Sequence, residues 1–167
     1  LYAVLPALDL VTRCARIRNL GETPVTLTKA ASLCLDISRG SWEWVHFHGR
    51  HAMERQMERR LLFHGIQEIG STRGTSSHHQ NPTVLLCTPD CTETAGACIG
   101  AALVYSGSHQ TRLECDQLGQ VRMVMGIHPD LFRWELKAGE TFSTPEVMLS
   151  YSDTGLETPV SYTHLTL

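Results

Sequence analysis

Apolar and polar residues trade places with a period of two along most of this chain, the spacing of strands that bury one face. The run Val11-Thr12-Arg13-Cys14-Ala15-Arg16-Ile17-Arg18 shows it first, and Asn19-Leu20-Gly21-Glu22 breaks it. Pro24 to Ala30 resumes as a Thr/Val/Leu strand, so the two runs predict a hairpin. Ala31, Leu33, Leu35 and Ile37 share one face of the next strand. Ser38-Arg39-Gly40-Ser41 then turns the chain into a strand whose Trp42, Trp44, His46 and His48 face away from Glu43, Val45 and Phe47. Further strands are predicted over Thr83 to Cys87 and Ala101 to Tyr105, in a hairpin from Leu113 to Gly126 that turns near Leu118-Gly119, over Leu131 to Leu136, and from Phe142 to Tyr151. His51 to Leu62 is rich in helix formers, but its neighbours favour a strand with Met53, Arg55, Met57 and Arg59 on one side. Short strands with Gly/Pro turns predict an all-β fold, an antiparallel sandwich. Trp42, Trp44, Phe132 and Trp134 are expected to fill its core.

Composition narrows the function. A chain of 167 residues, 42% hydrophobic, is expected to form one domain with a real core. The formal charge is −3, and basic residues are interleaved with acidic ones, as in Glu54-Arg55 and Glu58-Arg59-Arg60. That leaves no basic stripe for nucleic acid, and no apolar run approaches the ~20 residues of a membrane span. The chain begins at Leu1 without an initiator Met or a leader, and is read as a fragment. The spacings of the six cysteines match no zinc knuckle, and a chain with a core needs no staples. Cys14, Cys34 and Cys115 fall inside predicted strands and are expected to be buried, reduced thiols of a cytoplasmic protein. His46, His48 and His51 recur at mixed spacing without a carboxylate clearly placed to complete a metal triad, so no metal and no cofactor are expected.

One segment carries little that a core could use. Arg73-Gly74-Thr75-Ser76-Ser77-His78-His79-Gln80-Asn81-Pro82 gathers a guanidinium, hydroxyls, imidazoles and carboxamides. It is predicted to be a loop that holds polar groups toward something. Gly74 allows a sharp turn, Ser76 and Ser77 can cap backbone N–H groups, and Asn81-Pro82 favours a turn before the next strand. The planar fork of Arg73 suits a carboxylate or several carbonyls.

Taken in order, these segments resemble the N-terminal domain of family 36 α-galactosidases. The likeness rests on Arg13-Cys14-Ala15-Arg16-Ile17-Arg18-Asn19, on His48-Gly49-Arg50 followed by Glu54-Arg55, and on Arg73-Gly74-Thr75-Ser76-Ser77-His78 with Asn81-Pro82. It continues through Tyr105-Ser106-Gly107, Gly139-Glu140-Thr141-Phe142 with Thr144-Pro145-Glu146, and Tyr151-Ser152-Asp153-Thr154-Gly155-Leu156. Each motif is weak by itself, and their joint order is specific.

The resemblance implies a twisted β-supersandwich over residues 1–156, and a parent enzyme that removes terminal α-galactose from oligosaccharides such as melibiose and raffinose. It also implies a retaining double displacement by two Asp residues on a (β/α)₈ barrel that follows the sandwich. No catalytic residue is therefore expected here, and Glu43, Glu54, Asp90 and Glu146 show no spacing that nominates a pair. Family sandwiches pack on their barrel, assemble into homo-oligomers and lend loops to the sugar pocket. By that analogy Arg50 and His51 are candidates for substrate contact, His51 standing where the family usually carries Trp. Arg73, Ser76, Ser77, His78 and Asn81 are candidates for the seam between sandwich and barrel, with direct contact to the sugar as the alternative. The family's Asn and Phe after Tyr105-Ser106-Gly107 are Ser108 and His109 here. Competing functions are a free-standing carbohydrate-binding module and an oligomerisation module. Residues 157–167 depart from the family pattern and resemble translated sequencing-adapter DNA, so they are read as an unrelated tail.

Overall fold

The computed structural model describes residues 1–156; the tail expectation for 157–167 lies outside them. Fifteen strands run in chain order: β1 Tyr2–Leu5, β2 Leu10–Arg13, β3 Arg16–Arg18, β4 Val25–Leu27, β5 Ala31–Ile37, β6 Glu43–Arg50, β7 Met53–Leu61 and β8 Gly65–Ser71. They continue as β9 Gln80–Cys87, β10 Cys98–Val104, β11 His109–Cys115, β12 Val121–Ile127, β13 Trp134–Leu136, β14 Thr141–Ser143 and β15 Glu146–Ser152. A seven-stranded sheet has the order β1-β2-β15-β10-β9-β6-β7, and a four-stranded sheet the order β5-β12-β11-β8. The strand pairings are antiparallel, and the fold is the all-β sandwich that the alternation predicts.

The main core lies between the sheets. Trp44, Val84, Leu86, Ala101, Leu103 and Val147 come from the large sheet, and Leu33, Ile37, Leu113, Val121, Met123 and Met125 from the small one. The opposite face of the large sheet is covered too, by a second cluster of Val45, Leu85, Cys87, Cys91, Cys98 and Leu156. Both faces of β6 and β9 are therefore apolar, which explains why Thr83 to Cys87 reads as a continuous run instead of an alternation.

Several expectations are corrected. The residues of the first predicted hairpin do not pair with each other: β3 pairs with β14 and β4 with β13. The break at Asn19 is what sends them apart. Its buried side chain donates to Thr23 O (2.8 Å) and Leu136 O (3.0 Å), its own carbonyl accepts from Gly139 N, and its N–H donates to Glu140 O. The thiols are also redistributed. Cys34 is exposed and Cys14 and Cys115 are half-buried, whereas Cys87, Cys91 and Cys98 are the buried ones. Trp44 fills the core, but Trp134 is 49% exposed, its ring tilted by 52° to that of Phe142 with centroids 5.4 Å apart. Within the segment 51–62, Met53–Leu61 is a strand, β7, as its neighbours suggested.

Candidate functional site

The β6–β7 hairpin and the polar loop meet around a groove of about 680 Å³. It is lined by Phe47, His48, Glu54 and Arg55 of the hairpin, by Ser76, Ser77 and His78 of the loop, by Asn81 and Pro82 of β9, and by Tyr105 and Ser106. Of the residues singled out in the sequence, Ser76, Ser77, His78 and Asn81 are brought together here. Arg50, His51 and Arg73 are exposed and do not line the groove.

The hairpin owes its shape to one close approach. At Gly49 an added Cβ would sit 2.4 Å from Met53 O and 2.9 Å from Glu54 Cα, so the strands can cross here only with glycine. The register shifts at this point, between His48 and Arg50. Arg50 pairs with Met53, leaving His51 and Ala52 as a two-residue turn, with Ala52 at φ 63°. Ala52 N–H donates to Glu54 Oε1 at 2.9 Å, and the Arg50 guanidinium reaches Met53 Sδ at 3.2 Å. His51 is thus displayed at a hairpin tip, clear of the groove.

The polar loop is tied down mainly by backbone contacts. Ser76 N–H donates to Ser106 O (2.8 Å) and Ser76 Oγ to Tyr105 O (2.9 Å), so Ser76 docks the loop on its neighbour instead of capping its own turn. Ser77 Oγ does accept from His79 N–H, at 3.3 Å. Gly74, at φ 78°, donates its N–H to Ser108 Oγ at 2.9 Å. Arg73 is held through its backbone N–H on Ser71 Oγ. Asn81-Pro82 makes no turn: both lie inside β9, opposite the register shift between His46 and His48, where a missing N–H breaks no ladder bond.

A carboxylate that the sequence did not nominate stands beside this groove. Glu58 faces His46 across the ladder, with Oε2 3.4 Å from His46 Nε2 and 3.8 Å from His48 Nε2, and Arg60 grips its other oxygen. The hydrogen bond from Arg60 holds the Glu58 carboxyl below its ordinary value. Burial pushes the His46 ring below its own, against the pull of Glu58. Strand register was the missing signal, since 46 and 58 become neighbours only once the turn at His51-Ala52 is fixed. Among the described residues no group of three His, Cys, Asp or Glu side chains is arranged to hold a metal ion. Nor do the acidic candidates converge. Glu43 on β6 is engaged by Arg59, Glu54 lies on β7 and Glu146 on β15, and Asp90 sits on the loop after β9 with its carboxyl held low by Thr88.

Residues 1–137 match the glycosyl hydrolase family 36 N-terminal domain. The chain belongs to this family. It is 49% identical over 156 residues to the bifunctional α-galactosidase/sucrose kinase AgaSK of Mediterraneibacter gnavus, covering 93% of this chain and 17% of that protein. It is 41% identical to α-galactosidase AgaA of Geobacillus stearothermophilus, over 93% of this chain and 21% of the relative. The family 36 domain superposes on a crystal structure of an AgaA variant in complex with 1-deoxygalactonojirimycin with a TM-score of 0.94 at 39% identity, over 99% of this chain and 23% of the other. An AgaA variant in complex with raffinose gives a TM-score of 0.91 at 40% identity, over 94% and 22%. The chain thus spans about a fifth of the length of these relatives.

Proposed function

We propose that this chain is the N-terminal portion of an α-galactosidase that removes terminal non-reducing α-galactose from oligosaccharides of the melibiose and raffinose type. The observation that carries this reading is the match over nearly the whole chain to α-galactosidases, one of them with raffinose bound. The reaction is a retaining double displacement whose nucleophile and acid/base carboxyls lie on a barrel beyond this chain. The scattered acidic side chains described above support the view that this portion holds no reacting pair. Its role is to pack on the barrel and help shape the sugar pocket, with the groove and its polar loop at the seam and the Arg50-His51 tip reaching toward substrate. Self-assembly into a homo-oligomer is supported by β7, an unpaired sheet edge with Met53 and Met57 exposed. Six free cysteines support a reducing compartment, the cytoplasm.

The test is a chimera in which residues 1–156 replace the corresponding segment of Geobacillus AgaA. Hydrolysis of an aryl α-galactoside is expected from the chimera and none from the 167-residue chain; an inactive but folded chimera, or turnover by the chain itself, would refute the reading. In the same chimera His51→Trp should lower KM by about tenfold, since an indole offers a flat apolar face to a sugar and an imidazole a smaller, titratable one. An unchanged KM would remove His51 from the pocket.

A further inference from the structure

Cys87, Cys91 and Cys98 are free thiols, exposed by 0%, 2% and 0%. Cys87 stands opposite Cys98 in the β9–β10 ladder, with the two sulfurs 3.3 Å apart. Thr88 N–H donates to Ala97 O at 3.0 Å, so the next pair inward is of the non-hydrogen-bonded kind. In such pairs the Cα atoms come within about 4.5 Å, inside the span a disulfide bridges. The other three cysteines have no such partner. Cys34 faces Val124, Cys115 faces Val121 and Gly65, and Cys14 lies between strands.

The thiols lie beneath loop 88–97, which holds the end of the described chain. Leu156 packs on the same cluster and its N–H donates to Thr92 O at 3.0 Å, while Gly155 N–H donates to Gly96 O at 2.9 Å. Gly155 has no room for a side chain, since a Cβ would lie 2.4 Å from Glu93 O. Arg59 fastens the loop to β7 by donating to Cys91 O (2.7 Å) and Thr88 O (3.3 Å).

We propose that Cys87 and Cys98 form a reversible redox site that closes to a disulfide when the chain meets a small-molecule disulfide oxidant, clamping the loop that holds Gly155 and Leu156. The Cys87 thiol gives up its proton, and its sulfur attacks the oxidant, forming a mixed disulfide and expelling one small thiolate. The Cys98 thiol then gives up its proton, and its sulfur attacks Cys87 Sγ and expels the second. Two protein thiols are oxidised, one small disulfide is reduced to two thiols, and the two protons pass to the leaving thiolates. The hydrogen bond with Cys98, and after it burial, pushes the Cys87 thiol up; burial does so for Cys91, and the Arg59 guanidinium pulls against both. Attack therefore waits on opening of loop 88–97, so closure is slow.

Incubating the 167-residue chain with graded ratios of oxidised to reduced glutathione, then alkylating and mapping by mass spectrometry, tests this. The expected result is loss of two of the six thiols, a mass about 2 Da lower with a linked Cys87–Cys98 peptide, and a Tm higher by about 5–10 °C. Dithiothreitol reverses all three. Cys87→Ser and Cys98→Ser should give no linked peptide, Cys98→Ser stopping at the mixed disulfide of Cys87 with glutathione, while Cys91→Ser still closes the pair. Six alkylated thiols at the most oxidising ratio, a linked peptide involving another cysteine, or failure of Cys91→Ser to close would each overturn the proposal.

Discussion

Lowering the pH from about 7 to 5 should destabilise this domain markedly more than it destabilises the His109→Phe variant. His109 opens β11, is wholly buried, and pairs with Ser71 of β8 and Ile127 of β12. Neither ring nitrogen makes a well-formed hydrogen bond. Burial holds the ring below its ordinary value, and the nearby His128 pushes the same way. The backbone of Gly107 favours the charged ring, too weakly to reverse burial. The folded state therefore binds its proton later than the unfolded chain does as pH falls. The stability contributed by the neutral ring is complete above about 6.5 and is lost as pH falls through the lower, folded-state value. Within that window the loss approaches about 1.4 kcal/mol per pH unit. His46 is depressed as well, but Glu58 lies 3.4 Å away to receive its charge, so it contributes less. Asp36, Asp90 and Asp116 are held low by Arg122, Thr88 and the backbone of Gln120 respectively, and their share is lost only below about pH 4, outside the window. Urea midpoints from about pH 5 to 8 measure the effect. Parallel profiles for the two proteins would show that His109 is not its source.

His109 also marks how far the sequence could be read. Its departure from the family's Phe was visible, but its complete burial was not, because a polar residue at the start of an alternating strand gives no sign of which face it takes. Where alternation was clean and the partner local, reading succeeded: Leu113 to Gly126 folds as β11 and β12 about Gly119, and Leu33 and Ile37 point into the core. Where the partner was distant, it failed. Arg16–Arg18 pairs with Thr141–Ser143, and no short-range pattern announces a partner more than a hundred residues away. The exposed Cys34 was recoverable, since it alternates with Leu33 and Leu35 on a strand at the edge of the smaller sheet. For the groove, the polar loop was legible as a loop with a purpose. Its opposite wall, and Glu58 beside it, needed the register of β6 on β7.

Gly49→Ala is expected to cost about 2–3 kcal/mol and lower Tm by roughly 5–10 °C. The methyl would meet Met53 O at 2.4 Å and Glu54 Cα at 2.9 Å, both backbone atoms that no rotamer change can move aside. Relief requires β6 and β7 to separate where Glu54 and Arg55 turn toward the groove. That would release the register shift between His48 and Arg50, with the His51-Ala52 turn beyond it. Gly139→Ala is the matched control: its φ of 79° strains a side chain, but nothing lies within 4 Å of the added Cβ, so about 1 kcal/mol is expected. Amide hydrogen exchange locates the damage. Protection should fall across Val45–His48 and Glu54–Glu58 in Gly49→Ala while β11 and β12 keep theirs. Equal losses in the two variants, or unchanged protection in the hairpin, would mean that its crossing tolerates a side chain and that Gly49 does not set the groove's near wall. The contrast matters for function, because in the AgaA chimera only Gly49→Ala should also raise KM: it alone moves His48 and Glu54 relative to Ser76 and Asn81.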